Sequence, residues 1–323
     1  MRFFLLILLL VPLSVRGAEL PGIAPFIDEM VEKHRFKRDE LVSVFVHARH
    51  QPSIIEAISR PFTVKPWLDY RAAFVNKRRI KLGLAFWKKH QQDLRRAEKR
   101  YGIPQEMIVS VIGVETIYGG NMGSYRVLDA LTTLAFDYPR RAEFFRSELE
   151  NYLLLARDRD FDLLAVRGSY AGAMGIPQFM PSSYRNYAVD FNGNGTVDLM
   201  GEARDAIGSV ANYLQGYGWV AGEPVAVPAR ISMDACPGET ATPRGLRAWS
   251  ASGIVPESGS YGVDARARLL DFTVGESKEF WLAFNNFEVI TRYNNSDFYA
   301  MSVLQLAEEL KAARHASQVE EMR

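Results

Sequence analysis

Apolar residues recur at the three- and four-residue spacing of an amphipathic helix over Ile23–His34, Arg38–Ala48, Ser53–Ser59, Arg140–Asp158, Ala206–Gly216 and Asp297–Ala312, with polar residues between them. Lys81–Tyr101 keeps that period longer and meets Gly102, so it reads as one long amphipathic helix. The next segment is different. Pro104 suits a helix start, and Met107, Ile108, Val109, Val111, Ile112, Val114 and Ile117 cover nearly every face, which predicts a helix buried all round and stopped by Gly119 and Gly120. From Trp219 to Asn286, Pro and Gly multiply and short strand-like runs appear at Val225–Val227, Leu269–Val274 and Glu279–Phe284. Phe287–Tyr293 leads back to helical spacing, and the polar tail from His315 to Arg323 reads as frayed.

These patterns predict a mainly α (α+β) protein. An N-terminal helical subdomain covers 18–80 and a helical core 81–218. A small inserted antiparallel β subdomain follows at 219–286, then a return to the core with a closing helix at 287–313 and a tail at 314–323. Residues 1–17 stand apart. Arg2 precedes the apolar run Phe3–Val11, too short to span a bilayer comfortably, and Val15-Arg-Gly17 has small residues where a signal peptidase needs them. A secretory signal cleaved after Gly17 is the expectation, with an uncleaved anchor as the other reading.

Composition changes this picture little. The 323 residues are 48% hydrophobic and 24% charged, ordinary globular values with room for a large core. The formal net charge is +1, and losing Arg2 and Arg16 with a signal would make it −1, so no nucleic-acid partner is implied. Lys77-Arg78-Arg79 and Lys88-Lys89 read as solvated helix faces. The single cysteine, Cys236, lies in a Pro/Gly-rich loop and excludes an internal disulfide as well as a lipid-bearing cysteine after the signal.

One carboxylate breaks the apolar helix: Glu115, at i+4 and i+3 from Val111 and Ile112 and in the last turn. Desolvation and the unpaired carbonyls of a helix end both oppose ionisation, which would keep the group protonated near neutral pH, as a general acid requires. Helix position alone leaves a second reading open, a salt bridge to an Arg from another element.

The context of Glu115 bears on that choice. Gly113-Val-Glu-Thr-Ile-Tyr-Gly-Gly120 resembles the Glu-[Ser/Thr]-x-x-Gly signature of lysozyme-like lytic transglycosylases. Four further blocks follow in order: Pro139-Arg-Arg-Ala-Glu-Phe144, Gly168-Ser-Tyr-Ala-Gly-Ala-Met-Gly-Ile-Pro-Gln-Phe-Met-Pro-Ser-Ser-Tyr184, Asp190-Phe-Asn-Gly-Asn-Gly-Thr-Val-Asp198 and Ile290-Thr-Arg-Tyr-Asn-Asn-Ser296. Together, over roughly residues 20 to 312, they resemble the lytic murein transglycosylase B family. The resemblance implies a lysozyme-like helical core in a periplasmic enzyme that needs no cofactor for its chemistry. It would cut the MurNAc–GlcNAc β-1,4 bond of peptidoglycan glycan strands and leave 1,6-anhydro-MurNAc ends. One Glu would serve as acid and then base, the substrate's 2-acetamido group would stabilise developing charge, and the muramyl 6-hydroxyl would replace water. The chain is expected to act as a monomer, with cell-wall synthesis or hydrolysis enzymes as candidate partners. Hydrolysis by water, as in a lysozyme, is the rival with the same chemistry; a non-catalytic murein-binding scaffold is the rival from another class.

The resemblance also implies site residues. Ser169, Met174, Gln178, Phe179, Tyr293 and Asn294 would line the glycan groove, with Asn294 near the acetamido group and Met180 as a further apolar wall. Tyr70, Tyr213 and Tyr299 match aromatic groove positions, and Arg140 and Arg141 a paired-Arg position facing stem-peptide carboxylates. Phe144 stands where relatives carry Tyr. Read as residues alone, Gln178 could cap a turn, Asn294 could cap the final helix, the tyrosines could be core, and the two arginines could pair with Glu143 and Glu148. Asp190, Asn192, Asn194, Gly195 and Thr196 follow the first positions of an EF-hand loop, but position 12 is Gly201. Asp205 is the expected closing carboxylate of a weak structural calcium site; an Asx-bonded turn without metal is the alternative.

Overall fold

The computed structural model describes residues 20–60, 65–235 and 238–321. The signal segment at 1–17 and Cys236 lie outside them. Helices α1 (Ile23–His34), α2 (Arg38–Val46), α3 (Pro52–Ser59) and α4 (Trp67–Phe74) come first. They are followed by α5 (Lys77–Lys89), α6 (Gln91–Tyr101) and α7 (Gln105–Thr116). The long helix read over Lys81–Tyr101 is therefore two: the chain leaves helical geometry at His90, where ψ is 24°, and turns before Gln91.

Helix α7 is the axis of the molecule. Every residue from Met107 to Val114 is buried, so its sides are covered by neighbouring elements rather than by water. Ser110, polar on this buried surface, satisfies itself by donating its Oγ to the carbonyl of Val303 at 2.6 Å. The helix ends one step earlier than the glycines suggest. Ile117 (φ 53°) and Tyr118 (φ 62°) are both left-handed, and Gly119 (φ 86°) only continues the turn. Left-handed non-glycine residues are costly and persist only where surrounding packing holds them. Here Tyr118 is held by its hydroxyl, which donates to the carbonyl of Arg79 at 3.0 Å.

A two-residue strand β1 (Tyr125–Arg126) leads into α8 (Val127–Asp137), a 3-10 turn at Pro139–Arg141 and α9 (Ala142–Arg159). Strand β2 (Arg167–Gly168) pairs antiparallel with β1, and α10 (Pro181–Tyr187) and α11 (Ala203–Gly216) complete the first half of the core. The insert follows. It comprises β3 (Ala226–Ile231), β4 (Arg244–Gly245), α12 (Leu246–Ala251), β5 (Ile254–Pro256), β6 (Arg266–Val274) and β7 (Ser277–Ala283). Its five strands form one antiparallel sheet in the order β4-β6-β7-β3-β5. Strands β6 and β7 meet in a tight hairpin, with Val274 opposite Ser277 and Gly275 at φ 60° in the turn.

Alternation along β6 buries both faces of this sheet. Leu270 and Phe272 join the main hydrophobic cluster, while Ala267 and Leu269 join a small second cluster around Trp249. The main cluster is continuous from Phe26 and Ile54 through Ile112 and Leu131 to Leu306. Helix α13 (Asn285–Tyr293) brings the chain back, and α14 (Asp297–Glu321) packs along α7, α5 and α4. The tail expected to fray from His315 is helical to Glu321, a continuation of α14.

Candidate active site

Glu115 occupies the last turn of α7, at the edge of a cavity of about 770 Å³. The walls come from every part of the fold. Ile58 of α3, Arg141 and Glu148 near and on α9, Ser169 and Gln178 of the glycine-rich loop, Tyr217 after α11 and Asn294 after α13 all line it. Behind Glu115, Thr116 donates its hydroxyl to the carbonyl of Ile176 at 2.8 Å and accepts the N–H of Gly119 at 2.9 Å. The Thr of the Glu-Thr-x-x-Gly signature thus ties the helix end to the glycine-rich loop, which fixes the carboxylate against that wall.

Among the described residues the carboxyl receives one hydrogen bond: the hydroxyl of Tyr299, on α14, donates to its Oε1 at 2.5 Å. Among the described residues it has no ion pair, so the salt-bridge reading is set aside. Burial pushes its pKa up to about 7, outweighing the Tyr299 hydrogen bond and the charge of Arg79, both of which favour the carboxylate. An acid with that pKa is substantially protonated at neutral pH yet can release and recover its proton, which suits a group required to act twice.

The other expected residues divide into wall and backing. Ser169, Gln178, Tyr213, Tyr293, Asn294 and Arg141 reach the cavity. Ser169 Oγ accepts the N–H of Ala173 at 3.0 Å, shaping its own loop. Gln178, in left-handed geometry at φ 51°, donates its amide to the carbonyls of Met122 (3.1 Å) and Gly175 (2.9 Å). Tyr293 donates to the carbonyl of Pro177 at 2.5 Å and Tyr213 to that of Arg292 at 2.6 Å. Asn294 is exposed, and the residue capping α14 is Ser296, whose Oγ accepts the N–H of Tyr299.

Four expected groove residues lie behind the wall instead. Met174 and Phe179 are almost fully buried and face each other across a short β-bridge, with Phe179 packed on Tyr213 and Tyr293. Tyr70 packs among Trp67, Phe74 and Phe298 in the core, and Tyr299 is buried apart from its contact with Glu115. These large side chains find more apolar surface inside than on a wet groove wall, and Tyr70 and Tyr299 face Glu115 from there. Arg140 is exposed on the 3-10 turn and off the cavity wall, and neither it nor Arg141 forms an ion pair among the described residues. Arg141 instead lies 4.3 Å over the ring of Phe144.

The sequence pattern did not single out Glu148, Tyr170 and Tyr217 as wall residues. Glu148 is a buried second acid whose oxygens accept the N–H (2.9 Å) and hydroxyl (2.6 Å) of Ser182, so it anchors the start of α10, and burial raises its pKa. Tyr170 and Tyr217 line the cavity and keep about 40% of their surface exposed. Tyr217 falls four residues after Tyr213, a spacing that could have pointed to it.

In the 190–205 loop, Gly195 (φ 88°) makes the sharp turn that an EF-hand needs at its sixth position. Asp190 accepts the N–H groups of Gly193, Asn194 and Gly195, and Asn194 accepts the N–H and hydroxyl of Thr196. The donor set of Asp190, Asn192, Asn194 and the Thr196 carbonyl therefore fits a hard cation in composition and fold. Asp205 departs from expectation. It is fully buried, and its two oxygens accept the N–H groups of Phe191, Asn192 and Asp198, so it staples the loop from below instead of closing a cage.

Residues 19–308 match the family model described as "Transglycosylase SLT domain". The chain is 44% identical over 307 residues to membrane-bound lytic murein transglycosylase B of Escherichia coli strain K12, covering 92% of this chain and 84% of that one. Its fold superposes with a TM-score of 0.85 on soluble lytic transglycosylase SltB1 from Pseudomonas aeruginosa, at 47% identity, covering 91% of this chain and all (100%) of the other. The Escherichia coli lytic transglycosylase Slt35 in complex with calcium also gives 0.85, at 43% identity, covering 93% of this chain and 95% of the other.

Proposed function

Because the chain belongs to the transglycosylase SLT domain family and is a lytic murein transglycosylase, we propose that Glu115 supplies both the acid and the base of its reaction. The neutral carboxyl gives its proton to the glycosidic oxygen as the bond from the MurNAc anomeric carbon breaks. Positive charge developing on that carbon is met by the substrate's own acetamido group. The Glu115 carboxylate then takes the proton of the muramyl C6 hydroxyl as that oxygen closes onto the anomeric carbon. The product is a 1,6-anhydro end, no water is consumed, and Glu115 is left protonated for the next turnover. An intramolecular nucleophile has a high effective concentration, so the protein must mainly position and protonate.

The observation that carries this reading is the setting of Glu115: a single carboxyl with pKa about 7, held by Tyr299 and unpaired by any cation among the described residues. Glu148, the other acid of the cavity, is occupied by Ser182 and supports the wall. Ser169, Gln178, Tyr293 and Asn294 bind the sugar next to the scissile bond, Tyr170 and Tyr217 stack on sugar faces, and Arg141 reaches stem-peptide carboxylates. Calcium binds weakly between Asp190, Asn192, Asn194 and the Thr196 carbonyl, since Asp190 is the one charged group in that set. The apolar run Phe3–Val11 supports export to the periplasm, where the substrate lies.

The test is mass spectrometry of muropeptides released from sacculi by the protein and by its Glu115→Gln variant. Anhydro-muramyl products from the parent, reduced by about 10²–10⁴-fold in the variant, are expected. Comparable release by both would remove Glu115 from the chemistry; reducing ends would mean hydrolysis.

A further inference from the structure

Arg79, expected on a solvated basic face, is turned inward to the end of α7. Its Nε donates to the carbonyl of Gly113 at 2.7 Å, its Nη1 to that of Ala73 at 2.5 Å, and its guanidinium lies 5.1 Å from the ring centroid of Phe74. Gly113 is two residues before Glu115, and its carbonyl also accepts the N–H of Ile117 at 3.2 Å, the bond that closes the helix. The cation therefore sits at the negative pole of the helix that carries the acid.

Its placement is built in. Tyr118 donates its hydroxyl to the backbone carbonyl of Arg79 and threads between α5 and α7 at two glycines. A Cβ on Gly83 would lie 2.3 Å from that hydroxyl oxygen and one on Gly113 2.5 Å from it, so neither position has space for a side chain. The strained left-handed pair Ile117–Tyr118 that follows Glu115 is thus the same device that holds Arg79 in place.

We propose that Arg79 is a positioning residue which sets the proton affinity of Glu115 by neutralising the carbonyl end of α7. The inference rests on Glu115 being the acid and base. Without a cation there, burial and the helix end would act together, and the carboxyl would hold its proton too tightly to serve as base in the second half of the reaction. The direction of the Arg79 influence on Glu115 agrees, since it favours the carboxylate. The other groups facing Glu115 are Tyr70 of α4, Tyr213 of α11, Tyr293 of α13 and Tyr299 of α14, all phenols kept neutral by burial. Arg141, Glu148 and Arg292 share the cavity wall. Arg79 is thus the cation placed at the helix end itself.

The experiment is the pH dependence of sacculus lysis by the full chain carrying Arg79→Gln, Arg79→Met or Arg79→Lys, with Glu115→Gln alongside and folding checked by circular dichroism. Met keeps the stem over Phe74 if Gln does not fold. Activity falls as Glu115 deprotonates, so a neutral residue at 79 raises its pKa and moves the alkaline limb up by about half to one pH unit, a helix-terminus effect. Lys keeps the charge and holds the limb near its original position. A limb that stays put in a folded neutral variant, or moves equally with Lys, overturns the role of Arg79 while inactive Glu115→Gln leaves the acid in place. An active Glu115→Gln overturns the underlying reading instead.

Discussion

At the scale of single residues, the molecule is organised around holding one proton. Glu115 keeps its proton to about pH 7 in the folded protein, against 4.5 for an ordinary glutamate. Between those values the unfolded chain has released a proton that the native chain still binds, so this group lowers stability as pH rises and its full cost is present above about 7. Glu115→Gln removes that cost while leaving an oxygen for the Tyr299 hydroxyl. The variant should melt a few °C above the parent at pH 8, with the gain shrinking toward zero near pH 4.5. Scanning calorimetry at both values checks it, and an equal gain at both would assign the effect to something other than this carboxyl. The burial of a proton-holding carboxyl is the kind of stability cost that a functional site carries.

At the scale of elements, helix ends and loops do the positioning. Helix α7 ends at the groove, Thr116 ties that end to the glycine-rich loop, and Tyr118 locks it to α5. The 190–205 loop is the other rigid corner. Asp205 already satisfies three of its N–H groups from below, so the loop can hold its shape before any cation arrives. Calcium at the proposed site should therefore add modest stability, with a dissociation constant of about 10⁻⁴–10⁻³ M, the range of low-charge extracellular sites. Millimolar calcium should raise the melting temperature, a chelator should reverse the rise, and Asp190→Ala should abolish it. A rise that survives Asp190→Ala would place the ion elsewhere. Asp205→Ala is the contrasting variant: it should destabilise the loop with and without calcium.

At the scale of the whole molecule, the β insert is fastened where the chain leaves and re-enters the helical core. Asn286, fully buried at the start of α13, accepts the N–H of Val220 at 2.8 Å and donates to the carbonyls of Val220 (2.9 Å) and Glu223 (3.0 Å). Arg268 of β6 reaches across to Glu288 of α13 at 2.5 Å and to Asp297 of α14 at 3.0 Å. Asn294 and Asn295, on the cavity wall, follow α13 directly, so this joint borders the groove. Asn286→Ala strips the clasp of its three bonds and should cost about 1–3 kcal/mol in urea unfolding. A loss below a few tenths would mean that sheet packing alone holds the insert.

Much of this was legible along the chain. The all-round apolar pattern of Met107–Val114 required a buried helix, and a buried helix made its one carboxylate a chemical anomaly; both follow from local periodicity and desolvation. The change of character at Trp219 likewise located the insert, because strand and helix periods differ within a few residues. Tertiary structure decided what local pattern does not encode. The break at His90, the inward turn of Arg79 and the retreat of Tyr70, Met174, Phe179 and Tyr299 behind the cavity wall depend on which distant surface each meets. Asp205 became a staple because three backbone N–H groups converge on it, and Glu148 a wall residue because Ser182 lies across from it. Residue type and spacing singled out Glu115, since its strangeness is local, but left it open between an acid and a salt-bridge partner; its pKa, its partners and its cavity arise from contacts across the chain, from Arg79 to Tyr299, which only the packed molecule brings together.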